Sequence, residues 1–165
     1  MARPLPTPTM IRRVRSHAGW WTVAGDANSL QRVYLPHESA PAAIRGSVSG
    51  ATEAAVSQLA EYFSGNRRTF TVTLDPLIGT EFQRDVWVTL RAIPFGETRT
   101  YGDVAVQSGH PGAQRAVGQA NGANPWPIIV PCHRVVGGDG KLTGYRWGVQ
   151  RKKQLLERER AAKSR

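Results

Sequence analysis

The chain has 165 residues, of which 40% are hydrophobic, so it can bury one sizeable core or two small lobes. Lys and Arg number 22 against 12 Asp and Glu, and the formal charge of +10 favours a polyanionic partner, foremost nucleic acid, over a neutral metabolite. A basic surface can also simply keep a small protein soluble. The single cysteine excludes an internal disulfide, and no apolar run approaches the ~20 residues of a membrane span. We therefore expect a cytoplasmic protein without membrane contact.

The N-terminal half carries the signals of a small α/β domain. Residues 1–10 contain spaced prolines and no apolar core of a secretory signal, so we interpret them as a flexible tail in which Met10 is a second candidate start. "GWWTVAG" and "LQRVYLP", separated by the turn-forming "DANS", predict a β-hairpin, and "TFTVTL" predicts a further strand. Between them, "TEAAVSQLAEYFSG" has helical apolar spacing with Gly65 as its C-cap. This pattern predicts an α/β domain over residues 11–75 and a linker over residues 76–79.

The C-terminal half, residues 80–165, is dominated by helix signals. Thr80 and Gln83 have the spacing of a capping box and predict a helix over residues 80–92. Thr100 with Asp103 predicts a short helix in "YGDVAVQSG", and a second short helix, "AQRAVGQAN", follows the turn "GHPG". Two such helices in so basic a chain indicate a helix-turn-helix DNA-binding motif, although an ordinary helical hairpin has the same pattern.

The final segment, "RKKQLLERERAAKSR", predicts a helix with Leu155 and Leu156 facing inward. Its charged residues are expected to lie on a solvated face. Lysines of this face, Lys152 or Lys153 for example, are therefore candidates for contacts with DNA phosphates.

The only cysteine lies in "IVPCHRVVGG", where residues 128–130 are expected to form a short buried strand that ends next to Cys132. A buried free cysteine often serves as a small hydrophobic residue. A nucleophilic cysteine needs a base, and the neighbouring His133 is the candidate. Neighbouring side chains on an extended strand point to opposite faces, so this pair requires a bridging water or a sharp turn.

Several motifs in fixed order resemble one known family. "GETRTYGDVA", "QRAVGQAN", "NGANPWPIIV", "PCHRVV" and "LTGYRWGVQRKKQLLERE" are similar to segments of the O6-alkylguanine-DNA alkyltransferases, and the likeness extends from Thr80 to Glu159. Members of that family move the alkyl group from guanine in DNA onto their own cysteine. The resemblance implies an α/β N-terminal lobe, with a small antiparallel sheet plus a helix, joined to a mainly helical C-terminal lobe that contains the helix-turn-helix motif. It implies no cofactor.

The resemblance also implies the catalytic residues. Cys132 corresponds to the alkyl acceptor, His133 to its base, reached through a water, and Glu159 to the carboxylate that orients the histidine. Tyr101 corresponds to a tyrosine whose hydroxyl donates toward the guanine as it leaves. Asn124 corresponds to the asparagine of the turn between the recognition helix and the active-site strand.

For DNA, the resemblance implies a minor-groove interface in which Arg115 fills the space left by the flipped base. The residues expected on this DNA-binding face are Thr100, Ala113, Arg115, Ala116, Gly118 and Ala120. The residues expected around the substrate pocket are Pro127, Val135, Tyr145, Arg146 and Trp147. An inward Trp147 would restrict the pocket to small alkyl groups, whereas an outward one would pack on Arg151 or on the final helix.

These assignments predict a protein that binds double-stranded DNA containing O6-alkylguanine, with little sequence preference, and reacts once through Cys132. O4-alkylthymine is a possible minor substrate, and we expect a monomer that can cluster on DNA. A DNA-binding module without chemistry is the first alternative, and the intact Cys132 argues against it. A cysteine hydrolase is the second, but it leaves the helix-turn-helix pattern and the charge unexplained. The histidines and the cysteine lack the spacing of a zinc site, so no metal is expected.

Overall fold

The computed structural model describes residues 7–42 and 50–164, and the chain divides into two compact units between Ile78 and Gly79. Most of the predicted tail, including Met1, lies outside the described residues. Within the described ranges, no helix is both long and apolar enough to cross a membrane.

The N-terminal unit is a three-stranded antiparallel sheet and one helix. The strands are β1 (Met10–Ser16), β2 (Gly19–Gly25) and β3 (Leu30–Tyr34), in the order β1-β2-β3, and the helix is α1 (Ala51–Ser64). Helix α1 packs mainly against β1 and β2, where the Trp21 and Phe63 rings lie 5.2 Å apart between their centroids. The predicted hairpin is confirmed, and so is the C-cap, because Gly65 adopts a left-handed conformation with φ of 87°.

The predicted tail extends one residue too far. Met10 is the first residue of β1, is only 4% exposed and pairs with Gly25. The amide of Thr9 donates to the Gly25 carbonyl at 3.1 Å. Pro8 lacks an amide hydrogen, so ladder pairing becomes possible only after it.

The strand predicted over residues 69–74 is wrong. This segment makes a single parallel bridge to β3, between Leu30 and Leu74. The Gln58 side chain of α1 accepts from the Thr71 amide at 2.9 Å and donates to the Thr71 hydroxyl at 2.9 Å. The Thr71 amide is therefore bonded to a helix side chain and is not available for hydrogen bonds to a neighbouring strand.

The C-terminal unit is mainly helical. Its elements are α2 (Glu81–Arg91), β4 (Arg99–Thr100), α3 (Tyr101–Gln107), α4 (Gln114–Gly122), a 3₁₀ turn (Cys132–Arg134), β5 (Val135–Val136) and α5 (Val149–Lys163). Both predicted capping boxes are present, at Thr80 with Gln83 and at Thr100 with Asp103. Helices α2, α3 and α4 pack on one another, and β4 pairs in parallel with β5. The fold class expected from the sequence is confirmed.

Residues 128–130 do not form the predicted strand. Pro127 and Val130 make one bridge around a turn, in which Ile128 has a positive φ of 73°. The Asn124 side chain accepts from the Trp126 amide at 2.9 Å and donates to the Val130 carbonyl at 2.8 Å. Because the Asn124 side chain holds residues 124–130 in a turn, Cys132 follows a turn and not a strand.

Candidate active site

Cys132 opens the 3₁₀ turn and is 5% exposed. Its carbonyl accepts a hydrogen bond from the Asn121 side chain of α4 at 3.3 Å. Burial raises the pKa of the Cys132 thiol, and a hydrogen bond from Asn124 together with the charges of Arg146 and Lys152 opposes that rise. The resting side chain is therefore a thiol that needs a base.

His133 is completely buried and its Nε2 lies 2.8 Å from Oε1 of Glu159 on α5. Burial lowers the pKa of His133, although the Glu159 carboxylate acts in the opposite direction. In the part of the chain that the structure describes, Nδ1 has no hydrogen-bond partner. A neutral imidazole that donates from Nε2 therefore keeps Nδ1 as its basic nitrogen.

The 3₁₀ turn changes the geometry of the cysteine and histidine pair. With about three residues per turn, successive side chains are rotated by roughly 120° and not by the half-turn of a strand. Of the two arrangements that the sequence left open for Cys132 and His133, the sharp turn is present.

Glu159 is buried and accepts several hydrogen bonds. Besides His133, the donors are Nε of Arg134 at 2.8 Å, Nη2 of Arg134 at 3.0 Å and the Gly96 amide at 3.1 Å. Burial alone would raise the pKa of Glu159, but the hydrogen bonds and charges of His133 and Arg134 hold it well below its usual range. The carboxylate is thus an anion at any pH of functional interest.

Arg134 was not identified from the sequence. It is 4% exposed, and its Nη1 donates to the Ile93 carbonyl at 2.7 Å. An arginine between a buried cysteine and two valines must find a buried partner, because an unpaired guanidinium is too costly inside a protein. That placement is the signal that points to an ion pair.

Lys152 is not the solvated phosphate contact expected from the sequence. It is fully buried, and its Nζ donates to the carbonyls of Thr143 and Gly144 at 2.9 and 3.3 Å. Burial lowers the pKa of Lys152 to about 8. The residues at positions 152, 155, 156 and 159 follow helical spacing and are all buried, so the lysine shares the inward face of α5 with Glu159.

A cavity of about 510 Å³ lies beside α3 and α4. Its lining residues are Thr100, Tyr101, Gly102, Gln114, Arg115, Gly118 and Gly138. The Tyr101 hydroxyl lies 3.5 Å from the Thr143 carbonyl, at the long limit of a hydrogen bond, and Arg115 is exposed. The structure therefore brings together four residues that the sequence assigned to the site: Thr100, Tyr101, Arg115 and Gly118.

Ala120 does not belong to an exposed DNA-binding face. It is 2% exposed, and its carbonyl accepts from the Trp87 indole at 2.9 Å, which fixes α4 on α2. Ala113 and Ala116, in contrast, are partly exposed. The helical repeat explains the difference, since position 120 lies on the side of α4 that also buries Val117.

The expected pocket residues occupy different environments. Pro127 and Val135 are buried, Tyr145 and Trp147 are partly exposed, and Arg146 is exposed. An Arg146 nitrogen donates to the Asn124 carbonyl at 3.3 Å. The Trp147 ring packs against Arg151, with the guanidinium carbon 5.4 Å from the ring centroid, so the outward arrangement is the one observed. None of these five lines the 510 Å³ cavity.

Among residues 7–42 and 50–164, no group of three or more His, Cys, Asp or Glu side chains could hold a metal ion.

Known proteins are similar to this chain in sequence and in fold. The family model for the DNA-binding domain of 6-O-methylguanine DNA methyltransferase matches residues 81–161. The methylated-DNA–protein-cysteine methyltransferase of Mycobacterium tuberculosis is 51% identical over 144 residues, which cover 87% of this chain and 84% of that protein. A crystal structure of M. tuberculosis O6-methylguanine methyltransferase is similar with a TM-score of 0.81, at 45% identity over 93% of each chain. A crystal structure of M. tuberculosis OGT in complex with DNA gives a TM-score of 0.81, at 48% identity over 92% of this chain and 93% of that chain.

The identity over most of both chains defines the class of protein. The chain belongs to the family of methylated-DNA–protein-cysteine methyltransferases, enzymes that repair DNA by alkyl transfer.

Proposed function

We propose that this chain repairs O6-alkylguanine in double-stranded DNA by moving the alkyl group onto the sulfur of Cys132. The observation that carries the proposal is the buried His133 to Glu159 hydrogen bond of 2.8 Å, directly next to the only cysteine in the chain. A base oriented by a carboxylate is what an unactivated thiol requires.

The reaction balances as a single displacement. The thiol of Cys132 loses its proton to Nδ1 of His133, directly or through a water. The sulfur then forms a bond to the alkyl carbon as the bond from that carbon to O6 breaks, and the bonding electrons pass to the guanine. The departing guanine gains one proton, which matches the one that the thiol lost.

Tyr101 is suited to help the guanine leave. Tyr101 lines the cavity, and among the described residues its hydroxyl makes only a long contact of 3.5 Å with the Thr143 carbonyl. A hydroxyl so weakly engaged can turn toward the negative charge that develops on the purine and donate to it. The thioether on Cys132 has no route back to a thiol, so each molecule reacts once.

The burial of the nucleophile supports base flipping as part of the proposal. Because Cys132 is 5% exposed, a guanine inside the duplex cannot reach its sulfur and must leave the base stack. Arg115 is exposed on α4 and fills the vacated position, while the small residues Ala116 and Gly118 allow a close approach to the minor groove. The minor groove carries little sequence information, so binding is largely independent of sequence.

The remaining features of the proposal concern partners and place. The formal charge of +10 suits the DNA backbone. We propose a cytoplasmic monomer that can cluster on DNA, needs no cofactor and accepts O4-alkylthymine as a minor substrate. The loop with Tyr145, Arg146 and Trp147 closes the site over the flipped base, and Pro127 and Val135 support it from the interior.

Intact-mass measurement tests the proposal. The protein is mixed with a duplex containing O6-methylguanine, and we expect a gain of one methyl group, mapped by peptide analysis to Cys132. Cys132→Ala should bind the same duplex and gain nothing. Repeated turnover by one molecule, or a methyl group elsewhere while Cys132 stays free, would contradict the proposal.

A further inference from the structure

The carboxylate of Glu159 is divided between a histidine and an arginine. His133 contacts Oε1 at 2.8 Å, and Arg134 contacts Oε2 through Nε at 2.8 Å and Oε1 through Nη2 at 3.0 Å. Such a two-pronged pair matches the planar guanidinium to both carboxylate oxygens and is among the strongest in proteins. The orienting carboxylate therefore has a second, charged partner that the established activity does not explain.

Arg134 affects whether the proton between His133 and Glu159 stays on Nε2 or moves to the carboxylate. When Nδ1 of His133 takes the thiol proton, the Nε2 proton either stays on the ring or moves to the carboxylate. A carboxylate bonded to histidine alone in a buried site would be basic enough to compete for that proton, because burial favours its neutral form. A carboxylate clamped by a guanidinium is a much weaker base.

We propose that Arg134 is a positioning residue for the transfer reaction, which keeps Glu159 an anion and thereby keeps the proton of His133 on Nε2 and its lone pair on Nδ1. In the activation step, the S–H bond of Cys132 breaks and an N–H bond forms at Nδ1, while the Nε2–H bond remains intact. The inference rests on the proposed function, since it assigns a role in the chemistry proposed for Cys132.

Arg134 is held in place from more than one side. Its Nη1 donates to the Ile93 carbonyl, just after α2, at 2.7 Å, and its guanidinium carbon lies 5.7 Å from the Phe95 ring centroid. The Gly96 amide adds a further hydrogen bond to Oε2 of Glu159 at 3.1 Å. These contacts fix the guanidinium relative to the carboxylate, so the pair cannot rotate to release Glu159 toward the histidine proton.

The charged groups near His133 lie on its own turn and on α5. Cys132 and Arg134 lie on its own turn, and α5 contributes Glu159 and Lys152, whose positive charge also lowers the pKa of His133. The end of α2 and the turn before β4 contribute a carbonyl and an amide to the Arg134 and Glu159 pair, from Ile93 and Gly96. Lys152 bonds to the carbonyls of Thr143 and Gly144. Of the two cations, Arg134 is therefore the one that forms a bidentate ion pair with Glu159.

The pH dependence of alkyl transfer tests the role. In Arg134→Gln, the pKa of Glu159 should rise by about 1 to 3 units, because an adjacent opposite charge lowers a carboxyl pKa by that amount. Transfer needs both the Glu159 anion and a neutral His133 ring. The charge of Arg134 lowers the pKa of both groups, so without it the acidic limb of the rate profile should move to higher pH. Arg134→Lys keeps the charge and should show a smaller shift.

Controls separate the possible failures. Arg67→Gln removes a matched arginine from a partly exposed pair with Glu61 and should leave the profile unchanged. If the wild type places no methyl on Cys132, the proposed function fails. If the wild type reacts and the rate of Arg134→Gln depends on pH as the wild-type rate does, whatever its absolute value, the proposal for Arg134 is overturned.

Nitrogen NMR of the labelled wild-type protein gives a test without any variant. We expect the His133 ring to be neutral, with its hydrogen on Nε2, across the pH range in which transfer is active. A hydrogen on Nδ1, or a protonated Glu159 in that range, would overturn the proposal even if Arg134→Gln does not fold.

Discussion

Lys152 and Tyr101 share one acceptor, the carbonyl of Thr143, which lies 2.9 Å from the lysine Nζ and 3.5 Å from the tyrosine hydroxyl. The lysine Nζ also lies 5.9 Å from the centroid of the tyrosine ring. A buried cation on α5 thus links the loop after β5 to a side chain of the cavity.

Lys152 should make stability depend on pH in the alkaline range. Its pKa is about 8 in the folded protein against 10.5 for the ordinary value, so between these pH values the unfolded chain binds more protons. The free energy of unfolding should therefore gain up to about 3 kcal/mol from this group as the pH rises from 8 to 10.5. Denaturant unfolding of the wild type and Lys152→Met at several pH values measures the difference between them. Parallel curves would show that Lys152 titrates normally.

Glu159→Gln should separate chemistry from DNA binding. The amide cannot hold His133 as the carboxylate does, so we expect single-turnover transfer to slow by about 10²- to 10⁴-fold, the usual contribution of a positioned base. His133→Ala should slow transfer similarly, while the affinity for duplex DNA changes little in both. Rapid-quench kinetics and a binding titration give the two quantities. An unchanged transfer rate in both variants would mean that another group activates Cys132.

Arg115 and Lys153 should differ in how they affect DNA repair. Arg115→Ala should reduce repair in duplex DNA far more than in single strands, which have no vacated stack to fill. Lys153 is exposed, and Lys153→Ala should weaken binding to all sequences slightly and flatten the salt dependence. Repair assays on duplex and single-stranded substrates of the same sequence measure the two losses. Equal losses on both substrates for Arg115→Ala would reduce its role to a phosphate contact.

Trp147→Gly should leave the substrate range unchanged. Because the indole packs on Arg151, removing it should cost about 0.5 to 1 kcal/mol of stability and should not enlarge the site for O6-benzylguanine. Reaction rates with O6-benzylguanine and O6-methylguanine DNA, together with thermal unfolding, measure both effects. A selective gain with O6-benzylguanine would show that the indole turns inward when substrate binds.

The sequence predicted best what depends on local signals. The capping boxes at Thr80 and Thr100 lie within four residues of their partners, so the starts of α2 and α3 follow from the sequence alone. The strand expected over residues 69–74 failed because the side chain of Gln58, far away in sequence, takes the Thr71 amide. Alternating composition contains no information about such a competitor.

Charged residues limited the prediction of the site. Cys132, His133 and Glu159 were identified through the family resemblance, and the structure places the last two in contact. Lys152 and Arg134 were missed because charged side chains are usually solvated, and only the spacing of Lys152 with Leu155, Leu156 and Glu159 indicates its burial. Tertiary partners decide whether a charge is buried, and they are distant in sequence.

The burial of the Cys132 thiol has a consequence for chemical selectivity. If each molecule reacts once, as proposed, it is lost when its sulfur reacts with the wrong electrophile, such as a diffusing haloacetamide or peroxide. At 5% exposure and with its pKa raised by burial, the sulfur presents little accessible surface and little thiolate to such reagents. An alkyl carbon that bound DNA holds next to Cys132 lies close to both the sulfur and its base, His133. The packing that slows the reaction of the thiol with small reagents therefore favours its reaction with an alkyl group held in the site.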